Sequence, residues 1–187
     1  MKRTILTMLA IALLMTAAMP AFALGRQLGN SPLTNTLDVT VILAARVGIY
    51  LGNDITFDLS NASVIYPPAA FPGYYAPTSP VASPALPLEV FSNSGTATWA
   101  LTVEASGDFA AATPVTQLYY ANAGTAIPAD GGAATGWTSM TTSPVSVTTG
   151  GKTTGWSAVN QDYIFSTDTD DEPFTSTVII TYTITTI

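Results

Sequence analysis

Carboxylates are the side chains through which this chain could do chemistry. The sequence holds twelve acidic and five basic residues, and it contains neither histidine nor cysteine. Serine–histidine catalysis, cysteine–histidine catalysis and histidine-ligated zinc sites are therefore excluded. A glycosidase needs two carboxylates about 5 to 10 Å apart in a cleft, and the spacing of the acidic residues singles out no such pair. We expect no enzymatic activity and predict no catalytic residue.

The densest group of carboxylates lies in the segment DTDDE at residues 168–172. Calcium is a hard cation that takes several oxygen ligands, and the candidate ligands are Asp168, Asp170, Asp171 and Glu172. The spacing of an EF-hand loop is absent, and a solvated hairpin tip accounts for the same residues. No other cofactor is predicted, because the chain has neither a phosphate-binding loop nor a dinucleotide-binding fingerprint.

Two tryptophans stand in a repeated context, which makes them candidates for ligand contact. Residues 131–137 and 150–156 both read GGxxTGW and place Trp137 and Trp156 at equivalent positions. The apolar face of a sugar ring suits an aromatic plane, so both indoles, with Tyr74 and Tyr75, are candidate contacts of a carbohydrate-binding module. The alternative is a pair of similar turns, each leading a tryptophan into the start of a strand with its ring buried.

The elements that must position these residues are strands. Apolar and polar residues alternate at 88–91, 98–104 and 178–185, between turn signals rich in Gly, Pro, Asn and Asp. Similar signals occur at 55–59 and 115–120. In the last segment, Val178, Ile180, Tyr182 and Ile184 share one face, and threonines occupy the other. These patterns predict an all-β protein, an Ig-like antiparallel β-sandwich of about seven to ten strands.

A proline-rich loop is predicted at residues 67–87. Seven of these residues are proline, which cannot donate to a strand ladder, so we expect an extended loop outside the central sheet. Its aromatic residues are expected to pin it to the domain. Two interpretations stay open, a packed crossover between sheets and an exposed binding loop.

The longest alternating run spans residues 33–51. A common strand has about five or six residues, so the run is too long for one ordinary strand. We favour a first strand that bends near Ala44 or Gly48 and switches from one sheet to the other. The alternative is a donated strand that pairs with a neighbouring subunit by β-augmentation. The candidate residues for this strand pairing are Leu33, Leu37, Val39, Val41 and Leu43.

The first 23 residues have the pattern of a cleaved signal peptide. Lys2 and Arg3 precede an apolar run over residues 5–15, and Ala21-Phe22-Ala23 provides the small residues of a cleavage site. The apolar run is shorter than the ~20 residues that a membrane-spanning helix needs. We expect cleavage after Ala23 and export to the cell surface or the medium. Residues 24–187 would then form a single domain without a transmembrane span.

The mature chain would be acidic. Removal of Lys2 and Arg3 leaves three basic residues against twelve acidic ones, a net charge of −9. Such a chain repels nucleic acid and anionic lipid. Without cysteine there is no disulfide framework, so stability must come from core packing, strand ladders or association with neighbours.

Several of these features together resemble bacterial exported Ig-like β-sandwich surface proteins of the pilus-subunit, spore-coat-U-like and WxL-like kinds. They are the leader, the alternating run after it, the segment SNSGTATWALTVEASGDF at 92–109 and the ending TVIITYTITTI at 177–187. The resemblance implies a structural or adhesive protein, plausible as a subunit of a filament or surface layer assembled by β-strand pairing. Its partners would be further copies of the chain or other surface proteins. The alternative is a secreted carbohydrate-binding β-sandwich module with a polysaccharide as its ligand.

Overall fold

Strands dominate the computed structural model, which describes residues 39–95, 97–110 and 113–187. The strands are β1 (Val47–Leu51), β2 (Gly73–Tyr75), β3 (Leu88–Ser92), β4 (Trp99–Ala105), β5 (Leu118–Asn122), β6 (Thr138–Ser139), β7 (Val145–Gly150), β8 (Ser157–Ala158), β9 (Gln161–Thr167) and β10 (Ile180–Thr186). The only helical element in the described ranges is a 3-10 turn, Val115–Gln117. The described ranges contain no helix that is long and apolar enough to cross a bilayer. The predicted all-β class is confirmed.

The chain divides into two units, residues 1–43 and residues 44–187. All ten strands belong to the second unit, and they form three antiparallel sheets. Sheet I has the order β1-β3-β8, sheet II the order β10-β4-β7, and sheet III the order β2-β9-β5-β6. The predicted signal peptide at residues 1–23 lies outside the described residues, as do Leu33 and Leu37.

One apolar core is shared by the three sheets, as expected for a β-sandwich. Sheet I contributes Leu88 and Val90, sheet II contributes Leu101 and Val103, and sheet III contributes Leu118, together with the other members of the cluster. Alternate residues of β3 and β4 are buried, because successive side chains of a strand point to opposite faces. The predicted faces of β10 are confirmed, since its buried and partly buried residues alternate with exposed threonines.

Three segments differ from the predicted strands. Residues 39–46 form no strand, so the expected continuous first strand is wrong there and β1 begins only at Val47. Its partner β3 ends at Ser92, which leaves the chain before Arg46 without a ladder to join. Residues 115–117 form a 3-10 turn, and β5 starts after it. At 55–59 only Thr56 makes a single bridge, to Ser79, although Ile55 and Phe57 pack against the core as the alternation predicts.

The proline-rich segment is not loop throughout. Residues Gly73–Tyr75 form β2, an edge strand of sheet III that pairs with β9. The position agrees with proline chemistry, because an edge strand needs a ladder on one side only. Asp130 holds the segment in place, as its carboxylate accepts hydrogen bonds from the backbone N–H groups of Ala69 at 3.1 Å and Tyr74 at 3.3 Å.

Two tyrosines link sheets II and III inside the core. The hydroxyls of Tyr163 in β9 and Tyr182 in β10 lie 2.6 Å apart and share a hydrogen bond. Both side chains are buried, at 3% and 9% exposure. Burial disfavours the charged phenolate and raises the pKa of both residues above the ordinary value of 10. The pair therefore favours the folded state only while both phenols are neutral.

Alkaline pH is expected to destabilise the fold through these two residues. An unfolded tyrosine ionises near pH 10 and the folded pair ionises higher, so the contribution of these two residues to the free energy of unfolding is constant below pH 10 and falls above it. Each group contributes a slope of up to about 1.4 kcal/mol per pH unit. Urea unfolding between pH 9 and about 12 measures this slope. A double variant with Tyr163→Phe and Tyr182→Phe should flatten it, and an unchanged slope would contradict the assignment.

Candidate functional site

The acidic segment at 168–172 is held by hydrogen bonds within the segment and by one side chain outside it, Gln117. The Asp171 carboxylate accepts from the backbone N–H of Asp168 at 2.7 Å and from the Gln117 amide at 2.9 Å. Asp168 Oδ1 accepts from the backbone N–H of Thr169 at 2.7 Å. Across the described residues, no group of three or more acidic side chains converges as metal ligands would. Calcium binding at Asp168, Asp170, Asp171 and Glu172 stays a prediction.

The two tryptophans of the repeated motif have different environments. Each stands directly before a two-residue strand, as the turn interpretation predicts, β6 after Trp137 and β8 after Trp156. Trp137 is only 9% exposed, packs with Ile164 in a small second core, and donates its indole N–H to the carbonyl of Ala126 at 2.9 Å. Trp156 is 56% exposed. Only Trp156 therefore presents an indole to solvent.

Tyr74 and Tyr75 lie on β2 and are half-buried. The Tyr74 ring meets Tyr119 edge to face at 6.3 Å, and its hydroxyl donates to the carbonyl of Gly132 at 3.0 Å. Tyr75 packs against Tyr66 with ring centroids 6.2 Å apart. The contact with Tyr119 in β5 lets Tyr74 fix the proline-rich segment to sheet III, as predicted for the aromatic residues of that segment.

Trp156 lies on the outer face of sheet I, where a glycine makes room for it. A Cβ atom added at Gly48 would lie 3.0 Å from Trp156 Cη2, closer than ordinary contact. The indole also packs against Phe91, with ring centroids 5.9 Å apart and planes inclined by 46°. Gly48 and Phe91 are directly opposed in the β1–β3 ladder, so both face outward with the indole.

The same outer face carries a second exposed aromatic residue and a carboxylate. Tyr50 is 52% exposed and stands directly opposite Glu89 in the ladder, two residues from Gly48 and Phe91 respectively. We call Tyr50, Phe91, Trp156 and Glu89 the aromatic surface. Tyr50, Phe91 and Glu89 are not among the residues that the sequence predicted as site residues.

No family model, curated protein or solved structure matches the chain. The all-β class is established by the strand pairing and the shared core of residues 44–187.

The last strand, β10, has one edge that forms no backbone ladder among the described residues, although β1 of sheet I lies close to it. It pairs with β4 on one side and stands at the end of sheet II. The bonds from Ile187 N–H to the Thr98 carbonyl and from Ser106 N–H to the Ile179 carbonyl show that odd-numbered residues bond to β4. The N–H and C=O groups of the even-numbered residues 180–186 therefore point away from β4, toward the free edge.

The chain before β1 is anchored by one asparagine. The Asn93 side chain accepts from the Arg46 N–H at 2.6 Å and donates to the Ala44 carbonyl at 3.1 Å. Before these residues, Val39, Val41 and Leu43 are 74%, 83% and 82% exposed. These three candidates for strand pairing therefore present their apolar side chains to solvent.

A small cavity of about 200 Å³ lies beneath the proline-rich segment, lined in part by Trp137, Asp162 and Tyr163. The Asp162 carboxylate accepts from the Ser83 hydroxyl at 2.7 Å, the Ala85 N–H at 2.8 Å and the Gly124 N–H at 2.7 Å. These bonds tie two loops to β9, which gives Asp162 a structural role.

Proposed function

We propose that this protein is an exported, non-catalytic structural protein that self-associates at the cell surface by β-strand pairing. The observation that carries the proposal is the free edge of β10. Export is supported by the leader pattern at residues 1–23, and a non-catalytic role by the lack of histidine and cysteine. The proposal includes an adhesive role for the assembled protein.

The β10 edge has the properties of an association site. It is seven residues long, and the sequence ITYTITT contains no charge, no proline and no glycine. Proteins that avoid edge-to-edge association use short strands, charges, proline or bulges at their edges. Ile179 and Ile187 extend the apolar character on either side, at 66% and 67% exposure. None of these four protections is present on β10, and an incoming strand would have to pair beside β1, which lies close to β10.

The other sheet edges are poorer acceptors. β2, β6 and β8 have two or three residues each, too few for a lasting ladder. β7 has six residues, but its pairing with β4 shifts register between Leu101 and Thr102. Such an irregularity twists a strand away from a straight edge. β1 has five residues and is shorter than β10. The length and regularity of β10 favour it as the acceptor.

The donor in this proposal is the alternating segment at 33–43. Its described apolar residues Val39, Val41 and Leu43 are exposed, and alternate residues of a donated strand fill one face of an acceptor site. The Asn93 hydrogen bonds to Ala44 and Arg46 mark the point where the chain joins its own sheet. Donation by a second copy would cover side chains that solvent otherwise contacts.

Size-exclusion chromatography of residues 24–187 with light scattering tests the donor. We expect assemblies larger than a monomer, and a monomer when Leu33, Leu37, Val39, Val41 and Leu43 are all replaced by serine. Replacing the intervening Thr34, Thr36 and Thr40 by serine is the control and should leave assembly intact, because these residues would lie on the opposite face of the donated strand. A monomeric unmodified chain at high concentration, or assembly that survives loss of the apolar residues, would refute the proposal.

A further inference from the structure

We infer that the aromatic surface of sheet I binds neutral polysaccharide. This site is distinct from the β10 edge and does not depend on self-association. Trp156, Tyr50 and Phe91 supply the aromatic planes, and Glu89 and the Tyr50 hydroxyl supply hydrogen-bonding groups among them. Sugar rings have apolar faces edged by hydroxyls, and this combination of groups matches both parts.

The indole of Trp156 is preorganised for stacking. It is held between Phe91 and the backbone at Gly48, where any side chain would push against it. A ring that is already fixed loses little conformational entropy when a ligand stacks on it. Gly48 lies within β1, although glycine weakens a strand. The space that it leaves for the Trp156 indole gives this glycine a specific role.

Charge decides which polymers can bind. The one charged group of the aromatic surface is the Glu89 carboxylate, and the chain after the predicted cleavage site carries a net charge of −9. Nucleic acids, sulfated glycans and anionic lipids are repelled by such a surface. A carboxylate accepts hydrogen bonds from the hydroxyls of a neutral sugar. The predicted ligand is therefore an uncharged polysaccharide.

The size of the aromatic surface argues against a protein partner. A large aromatic side chain offers about 150–250 Å². Tyr50 and Trp156 are each about half exposed, and Phe91 is partly covered by the indole. The three rings together offer roughly 300 Å², whereas a stable protein interface buries about 800 Å² on each partner. Such an area suits a few stacked sugar rings.

Affinity electrophoresis of residues 24–187 in gels that contain hydroxyethyl cellulose, laminarin or glycol chitin tests the inference, with heparin as the polyanion control. We expect retardation by at least one neutral polysaccharide and none by heparin. Trp156→Ala should weaken binding at least tenfold, because a half-exposed indole contributes on the order of 100 Å² of apolar contact. Gly48→Val should also weaken binding, since it displaces the indole while keeping every aromatic ring.

Tyr66→Ala is the matched control, because Tyr66 is 48% exposed but lies in the segment before β2. It should leave retardation unchanged. Thermal unfolding of each variant checks that the fold is retained. The inference is overturned if no neutral polysaccharide retards the chain, if heparin retards it instead, or if Trp156→Ala and Tyr66→Ala have equal effects. An unmodified chain that is monomeric but still retarded by a neutral polysaccharide would refute the proposed self-association and leave the polysaccharide site standing. The two proposals can therefore fail independently.

Discussion

Replacing Gly150 with valine is expected to lower the free energy of unfolding by about 3 kcal/mol. Gly150 ends β7, and a Cβ atom built on it would lie 2.8 Å from Trp99 Cε2 and closer still to Cζ2. The indole cannot move aside. It is 5% exposed in the core, and its N–H donates to the Gly151 carbonyl at 2.7 Å. The added side chain would therefore break this hydrogen bond or distort the β4–β7 pairing.

The neighbouring glycine provides a matched control. A Cβ atom at Gly151 would meet nothing within 4 Å, and neither glycine has a positive φ. Gly151→Val should therefore change stability by less than about 1 kcal/mol. Urea unfolding of both variants, followed by tryptophan fluorescence, measures the difference. Equal losses of stability in the two variants would show that the close contact with the Trp99 indole is not what excludes a side chain at Gly150.

Sequence alternation predicted the strands that are buried on one face. Residues 88–91 and 98–104 became β3 and β4 with small differences at their ends, and the threonine face of β10 is exposed as expected. In these segments the register of each strand is fixed, because a shift of one residue would move all its apolar side chains from the core face to the solvent face. Local pattern and tertiary structure agree where a strand has a core on one side and solvent on the other.

The same pattern failed where no partner strand was available. Residues 33–46 also alternate, with exceptions at Asn35 and Ile42, yet no strand forms over 39–46. Alternation shows only that the two faces of a segment differ in polarity. A strand also needs a neighbouring strand with which its backbone can form hydrogen bonds. The partner β3 ends at Ser92, and the Asn93 side chain bonds to the backbone of Ala44 and Arg46 instead. Which backbone groups remain free can be read only from the assembled sheets.

The candidate site was predicted in part. The repeated motif identified Trp156, but it identified Trp137 equally, and the two indoles are 56% and 9% exposed. Gly131 and Gly136 in the first copy have positive φ, whereas the glycines of the second copy do not, so one motif adopts two backbone conformations. Phe91 and Gly48 could not be grouped with Trp156 from sequence, because cross-strand register brings them together. The one sequence signal for this site was Gly48 within an otherwise apolar strand, since such a glycine often marks a close approach by another group.

Replacing Ile184 with proline is expected to weaken self-association at least tenfold while most chains remain folded. The Ile184 N–H points toward the free edge of β10, so its loss removes no bond to β4. An incoming strand would lose one backbone hydrogen bond and meet the proline ring at the centre of its path. The loss of a bond and the added clash together exceed the 1.4 kcal/mol that corresponds to a tenfold change.

Two further variants separate edge pairing from general damage. Ile184→Ala trims the same partly buried side chain but keeps the N–H group, so it should lower stability and preserve assembly. Thr183→Pro removes a group that bonds to Thr102 in β4 and should destabilise the fold itself. Light scattering gives the association constant of each variant, and urea unfolding gives its stability. If Ile184→Pro and Ile184→Ala assemble equally well, β10 is not the acceptor, and β1 becomes the edge to test, because it is the next regular strand whose outward backbone groups are unpaired in the described structure.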